Sequence, residues 1–314
     1  MRKLAGDPLP HEDHPIRGSM VLLLPVPHRG SGQGSVRWTM TTCMTVAYSQ
    51  FALQLCGSHE VHVLDDLGCL SLRAQDLLRR TGQRHVGHRA RTPSEFLWVR
   101  DASGQLKPAP AELVIRREGF ADKFGGLRYL VRRSALLHGD RHDVTREWDF
   151  DLEEGLWPDG RGWCFGWVGE HVSSPVRFLA HTDGRVGVSD GGPFVEIASS
   201  VAQLIESHAM MDAVSSWDPL PGSSLEPWAP SPPGGEFANC LKGLTLVPEA
   251  SGRFERWLVS DVVAVREFWS WTSHRPRTRG IMIWTLGEAG RLAILPHLPP
   301  LHRTTRALLK SLLS

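Results

Sequence analysis

The feature that most constrains this chain is a series of short apolar segments punctuated by tight-turn signals. Cys164 to Val168, Val176 to Ala180, Arg185 to Val188 and Phe194 to Ala198 alternate with Asp183-Gly184 and Asp190-Gly191-Gly192. Asp-Gly supplies the positive φ that a two-residue hairpin turn needs, so the stretch is expected to form a meander. Directly after it, Ser200 and Gln203 have capping-box spacing, and Val201, Leu204, Ile205, His208 and Met211 recur at helical intervals. A closing amphipathic helix is therefore predicted.

Upstream, Pro108 and Pro110 precede a helix expected over residues 112–124, with Leu113, Phe120, Ala121 and Phe124 mostly on one face and Gly125-Gly126 as its stop. Gly119 weakens that helix. Residues 127–137 read as extended. Residues 1–90 mix His, Gly and Pro with weak periodicity, only Ala74 to Arg80 looking helical, and read as a poorly defined N-terminal extension. Residues 219–235, running from Pro-Leu-Pro-Gly-Ser-Ser to Pro-Ser-Pro-Pro-Gly-Gly, have linker composition. Beyond them, 236–314 is a strand-rich region, with strands expected at 257–259, 262–271, 280–286 and 292–295 and a terminal helix at 303–313. The middle domain is thus 91–218 and the fold class α+β.

Composition excludes more than it assigns. The 314 residues are 41% hydrophobic and 22% charged, which fits neither a disordered chain nor a membrane protein. Residues 21–26 are too short and Pro-broken for a signal-peptide core, and the hydroxyl-rich run 38–58 is too polar to span a bilayer. Five Cys, with no Cys-x-x-Cys pair, point to a reducing compartment, the cytoplasm. An excess of Arg over Lys, and 12 Trp against 2 Tyr, suggests a GC-rich bacterial genome. Formal net charge is +1, which argues against a protein that seeks nucleic acid with its whole surface.

The order of these elements resembles the SUKH superfamily, which includes yeast cell-wall-synthesis regulators and bacterial immunity proteins. The residues carrying the resemblance are Phe120, Phe124-Gly125-Gly126-Leu127-Arg128-Tyr129, Thr182-Asp183-Gly184-Arg185-Val186, and Ile197-Ala198-Ser199-Ser200-Val201 leading into Leu204-Ile205. It covers the middle region only. The resemblance implies a SUKH-like mixed sheet with flanking helices, no catalytic residues, no cofactor, and a function of binding: an immunity protein that occludes the active surface of a toxin, nucleases being one such class.

Charge supports a basic partner. Residues 109–218 hold 11 basic against 18 acidic residues, a net of −7, and the remainder nets +8. Within the middle region, Glu147, Asp149, Asp151, Glu153 and Glu154 interleave with Trp148 and Trp157. Acidic groups steer a basic protein and aromatic anchors supply desolvated contact, so these seven residues are the candidate partner-binding set. The competing reading is a solvated loop with Trp148, Phe150 and Trp157 turned into the core. No membrane or nucleic-acid partner is expected.

A metal-dependent hydrolase is the alternative from another class. Cys56, His59, His62 and Cys69 are zinc-compatible donors, but an offset of three on a strand sets His59 and His62 on opposite faces. His138 to Asp143 lacks the His-x-His-x-Asp-His order of a metallohydrolase and reads as a loop at a strand end. The Gly30 to Ser35 run lacks the Gly-Lys-Ser/Thr of a phosphate loop. Trp257, Trp269, Trp271 and Trp284, with Arg275, Arg277 and Arg279, suit either single-stranded nucleic acid or, more simply, a sheet core. A regulatory scaffold, after the yeast relatives, is a third reading.

Overall fold

A computed structural model of the chain describes residues 61–85, 92, 94–101, 103–137, 140–170, 176–220, 243–271 and 279–294. All of them belong to one unit, Ser58–Ser314. Helix α1 (Leu72–Thr81) leads to the short strand β1 (Gln83–Arg84). A small hairpin of β2 (Trp98–Arg100) and β3 (Leu106–Pro108) precedes α2 (Ala111–Phe124). Gly126, at φ 72°, makes the turn out of α2 that a side chain would strain. Then come β4 (Leu127–Leu137), β5 (Asp140–Asp159), β6 (Gly162–Glu170), β7 (Arg177–His181), β8 (Val186–Ser189), β9 (Val195–Ala198) and α3 (Val201–Ala213). The C-terminal part adds β10 (Asp218–Pro219), β11 (Thr245–Leu246), β12 (Glu255–Val259), β13 (Val263–Trp269), β14 (Arg279–Thr285) and α4 (Gly287–Ile294).

The fold is α+β, as expected. The main sheet runs β1-β4-β5-β6-β7-β8-β9 with every pairing antiparallel, where the resemblance implies a mixed sheet. The second sheet, in the order β10-β14-β13-β12-β11, makes the C-terminal region strand-rich. Strand β5 corrects the sequence reading twice. His142 and Asp143 are paired strand residues opposite Ala135 and Ser134 rather than a loop, and the acidic run lies on the same continuous 20-residue strand. The expected strand at 292–295 is instead the end of helix α4 up to Ile294, because a four-residue apolar run carries no period that separates the two states. The expected helix at 303–313 lies outside the described residues.

One face of the main sheet is aromatic. Trp148, Phe150, Phe165, Trp167 and Phe178 pack with Phe120 of α2, the Phe150 and Trp167 rings 4.7 Å apart and those of Phe120 and Phe165 5.5 Å apart. Each buried ring contributes about 2 kcal/mol over its exposed state.

Helix α3 is the pivot. Ser200 caps it as the sequence predicts, accepting from the Gln203 amide, but Gln203 closes the box on Ser199 rather than on Ser200. Its burial departs from the amphipathic expectation: every residue from Gln203 to Asp212 is buried. Three neighbours account for this. The aromatic sheet face meets His208, whose ring centroid is 4.0 Å from that of Trp148. Helix α1 docks through Ala74, Leu77 and Leu78, and two carboxylates of α3 hold its ends. Glu206 accepts from the amide and hydroxyl of Ser71, the N-cap of α1, at 2.6 Å each, and Asp212 pairs with Arg80 at 2.8 Å. On the third side, Ser207 donates to Glu255, and the Trp257 indole donates to Ser207.

These contacts redraw the expected boundaries. Residues 61–85, grouped by texture with an N-terminal extension, are integral to the unit, since β1 pairs with β4 and α1 packs on α3. The second sheet shares the main core through Val247, Trp257, Ala264 and Trp284, while Val263, Val265, Ile281 and Ile283 on its other side pack with Ile294 of α4. Of the expected linker only Pro219 and Leu220 are described, and Pro219 is paired with Trp284 in the sheet.

Candidate partner-binding cleft

Strand β5 distributes the seven candidate residues unequally. Trp148 is 0% exposed and Asp149 2%, which removes both from any contact surface. The reason is local: Trp148 stacks on Trp167 at 6.0 Å, and Asp149 is neutralised by Arg128 at 2.8 Å. Asp151 is partly buried and shares the same guanidinium at 3.3 Å. Glu147, Glu153 and Glu154 are exposed, and Trp157 is half-buried.

Glu153 and Glu154 are sequence neighbours that a regular strand would send to opposite faces. Two register irregularities put both at the surface: Asp149 to Leu152 opposes Gly169 to Trp167, and Leu152 to Leu156 opposes Trp167 to Phe165, so β5 carries surplus residues in each interval. Burial raises the Glu153 pKa, with Arg177 opposing the shift. Among the described residues Glu147 and Glu154 form no ion pair.

Beside Glu153, whose Cβ shares the space over Gly166 with the Trp157 ring, and on the face of the sheet away from the aromatic core, lies a cleft of about 240 Å³. Its side walls are Trp157 and Phe194, its floor is Cys164 and Leu179, and Asp159 and Arg177 also line it. Glycines set the walls. A Cβ on Gly155, at φ 126°, would fall 2.2 Å from the Trp157 ring, and one on Gly187 would fall 2.7 Å from Phe194. The outer edge of each ring thus lies close against a glycine, and a glycine inside a strand is the sequence sign of such close approach. Arg177 stacks over Trp157 at 5.5 Å and Arg185 over Phe194 at 5.4 Å.

Cys164 and His181 face each other across β6 and β7. His181 is buried, with Nε2 3.4 Å from Asp159 Oδ2 and Nδ1 2.8 Å from Asp183 Oδ1. This grouping has the residue types of a thiol protease site but not its electrostatics. Burial, helped by Asp159 and Asp183, pushes the Cys164 thiol up to about 12, so it stays protonated and is a poor nucleophile. Burial works against ionisation of Asp183 too, yet hydrogen bonds from the Arg185 side chain and amide outweigh it and hold that carboxyl below its ordinary value.

The other candidates are placed as follows. His62 is buried, its Nε2 3.2 Å from the Gly125 carbonyl and its Nδ1 accepting from the Leu64 amide, so both ring nitrogens are engaged. Cys69 is exposed, and Cys56 and His59 lie outside the described residues. Among the described residues no three His, Cys, Asp or Glu are grouped to hold a metal ion, and no helix is long and apolar enough to cross a membrane. Trp257 and Trp284 stack at 5.6 Å in the core, Arg279 is buried against Glu267, and Arg275 and Arg277 lie outside the described residues. Sequence reasoning missed Arg177 and Phe194 as site residues, and Gly155, Gly166 and Gly187 inside strands were the available signal. Comparison with protein-family models, with curated proteins and with solved structures finds no match for this chain.

Proposed function

We propose that this chain is a non-catalytic binding protein, SUKH-like in its middle region, that captures a basic protein partner and neutralises it by covering its active surface. The partner class is a toxin, with a nuclease as the best fit, because an enzyme that attracts phosphates presents the cationic surface these carboxylates complement. The observation that carries the reading is the exposure of Glu147, Glu153 and Glu154 along β5, with the half-buried Trp157 in an aromatic-walled cleft beside Glu153. Exposed carboxylates steer encounter, and a partly buried aromatic supplies an anchor. The engaged nitrogens of His62 and the strand pairing of His142 and Asp143 give the metal-dependent hydrolase alternative little support.

The test is affinity capture from lysates of competing bacteria at low and high salt, with the wild-type chain and with Glu147, Glu153 and Glu154 all changed to Lys. A basic protein bound by the wild type, released by salt and absent from the variant is the expected result. Capture that survives the charge reversal would overturn the reading.

A further inference from the structure

We infer that the cleft between Trp157 and Phe194 is the seat of an arginine side chain supplied by the protein partner. This deepens the binding reading and rests on it. The floor is apolar, formed by Leu179 and Cys164, and suits an aliphatic stem, which Arg buries readily while its head seeks polar company. That company is Asp159. Its carboxylate lines the cleft, its side chain is 26% exposed, and among the described residues its one ion-pair or hydrogen-bond contact is His181 Nε2 at 3.4 Å, a buried nitrogen that completes no hydrogen bond. The carboxylate therefore keeps its acceptor capacity for a guest.

Charge sets the guest's identity and direction. An apolar side chain would leave Asp159 covered and unpaired, which costs more than the burial returns, and an anion would meet it in repulsion. Arg177, stacked on Trp157, repels a cationic head and directs it toward Asp159. Arg185 does not compete for Asp159, being held by Asp183 and Glu196. A planar guanidinium can also grip a carboxylate through two parallel bonds, which an ammonium cannot, so arginine is favoured over lysine.

The probe is a short N-acetylated glycine peptide carrying one arginine, titrated into the full chain and followed by the indole N–H resonance of Trp157, which Trp157→Phe assigns. Its twin carries citrulline, equal in shape and neutral. The expected result is a saturable shift with arginine and about ten-fold weaker binding with citrulline and with Asp159→Asn. Equal response to citrulline, indifference to Asp159→Asn, or no saturable shift at all would each overturn the inference. If the peptide fails while partner capture still depends on Glu147, Glu153 and Glu154, the cleft assignment falls and the binding reading stands. If capture fails while the peptide seats at Asp159, the reverse holds.

Discussion

His208 is the residue on which the chain's acid stability turns. Its ring is buried, 2.7 Å from the Tyr129 hydroxyl and packed on Trp148. Burial first, then the positive charges of Arg133 and Arg266, push its pKa well below 6.5, so the native ring is neutral. In the unfolded chain it takes up a proton as the pH drops through 6.5, and the native state does not follow. Stability is therefore complete above that pH and is lost below it, at up to about 1.4 kcal/mol per pH unit. Asp212 adds a later loss: burial opposes its ionisation, but Arg132 and Arg80 hold its pKa below 3.8, so its contribution fades as the pH falls through that region. The urea midpoint is expected to decline from pH 7 to 5.5 in the wild type and to flatten over that window in His208→Gln. Equal slopes in the two chains would place the acid sensitivity elsewhere. The sequence puts His208 on the apolar stripe of its helix, but Tyr129 stands 79 residues away, and periodicity carries no information about such a partner.

At the scale of elements, the outer edge of β4 shows how an exposed strand is closed without another strand. Beyond the two pairs with β1, three of its outward backbone groups are met by side chains. The Thr81 hydroxyl donates to the Leu130 carbonyl, Asp212 accepts from the Arg132 amide, and the Trp284 indole donates to the Ser134 carbonyl. Capping an edge in this way blocks pairing with other chains. Trp284→Phe keeps most of the buried ring but orphans the Ser134 carbonyl, so it should cost about 1–3 kcal/mol in urea unfolding and raise concentration-dependent light scattering. An unchanged midpoint would mean that water replaces the indole at no cost. The strands with apolar texture, β4 and β6 to β9, were legible in the sequence within a residue or two, as were α2 and α3. Strand β5 was not, because its first half, from Asp140 to Glu147, is exposed on both faces and held by pairing to β4 rather than by burial. The same opacity misplaced Trp148 and Asp149: an acidic, aromatic run looks alike whether its rings face solvent or a core, and only the cross-strand partner Arg128 decides.

For the whole molecule, the consequence of α3 is that the Pro/Gly/Ser stretch does not separate independent domains. Composition changes there, yet Trp257 and Trp284 beyond it complete the core that α3 and β4 begin. A chain ended at Leu220 would expose that surface of α3 and leave Glu206, Ser207 and Asp212 on a helix partly stripped of its cover. It is expected to bind a hydrophobic dye and to lose cooperative unfolding, whereas a sharp transition at the wild-type midpoint would establish that residues 58–220 fold alone. The order of synthesis adds a further consequence. Helix α3 leaves the ribosome well before β12 to β14, the strands that cover its third side, so a nascent chain holds a half-clad apolar helix for as long as the intervening residues take to be made. Such an interval is when aggregation competes with folding and when chaperones are recruited. Slower translation through residues 214–285 is then expected to lower the share of chains that reach the folded state.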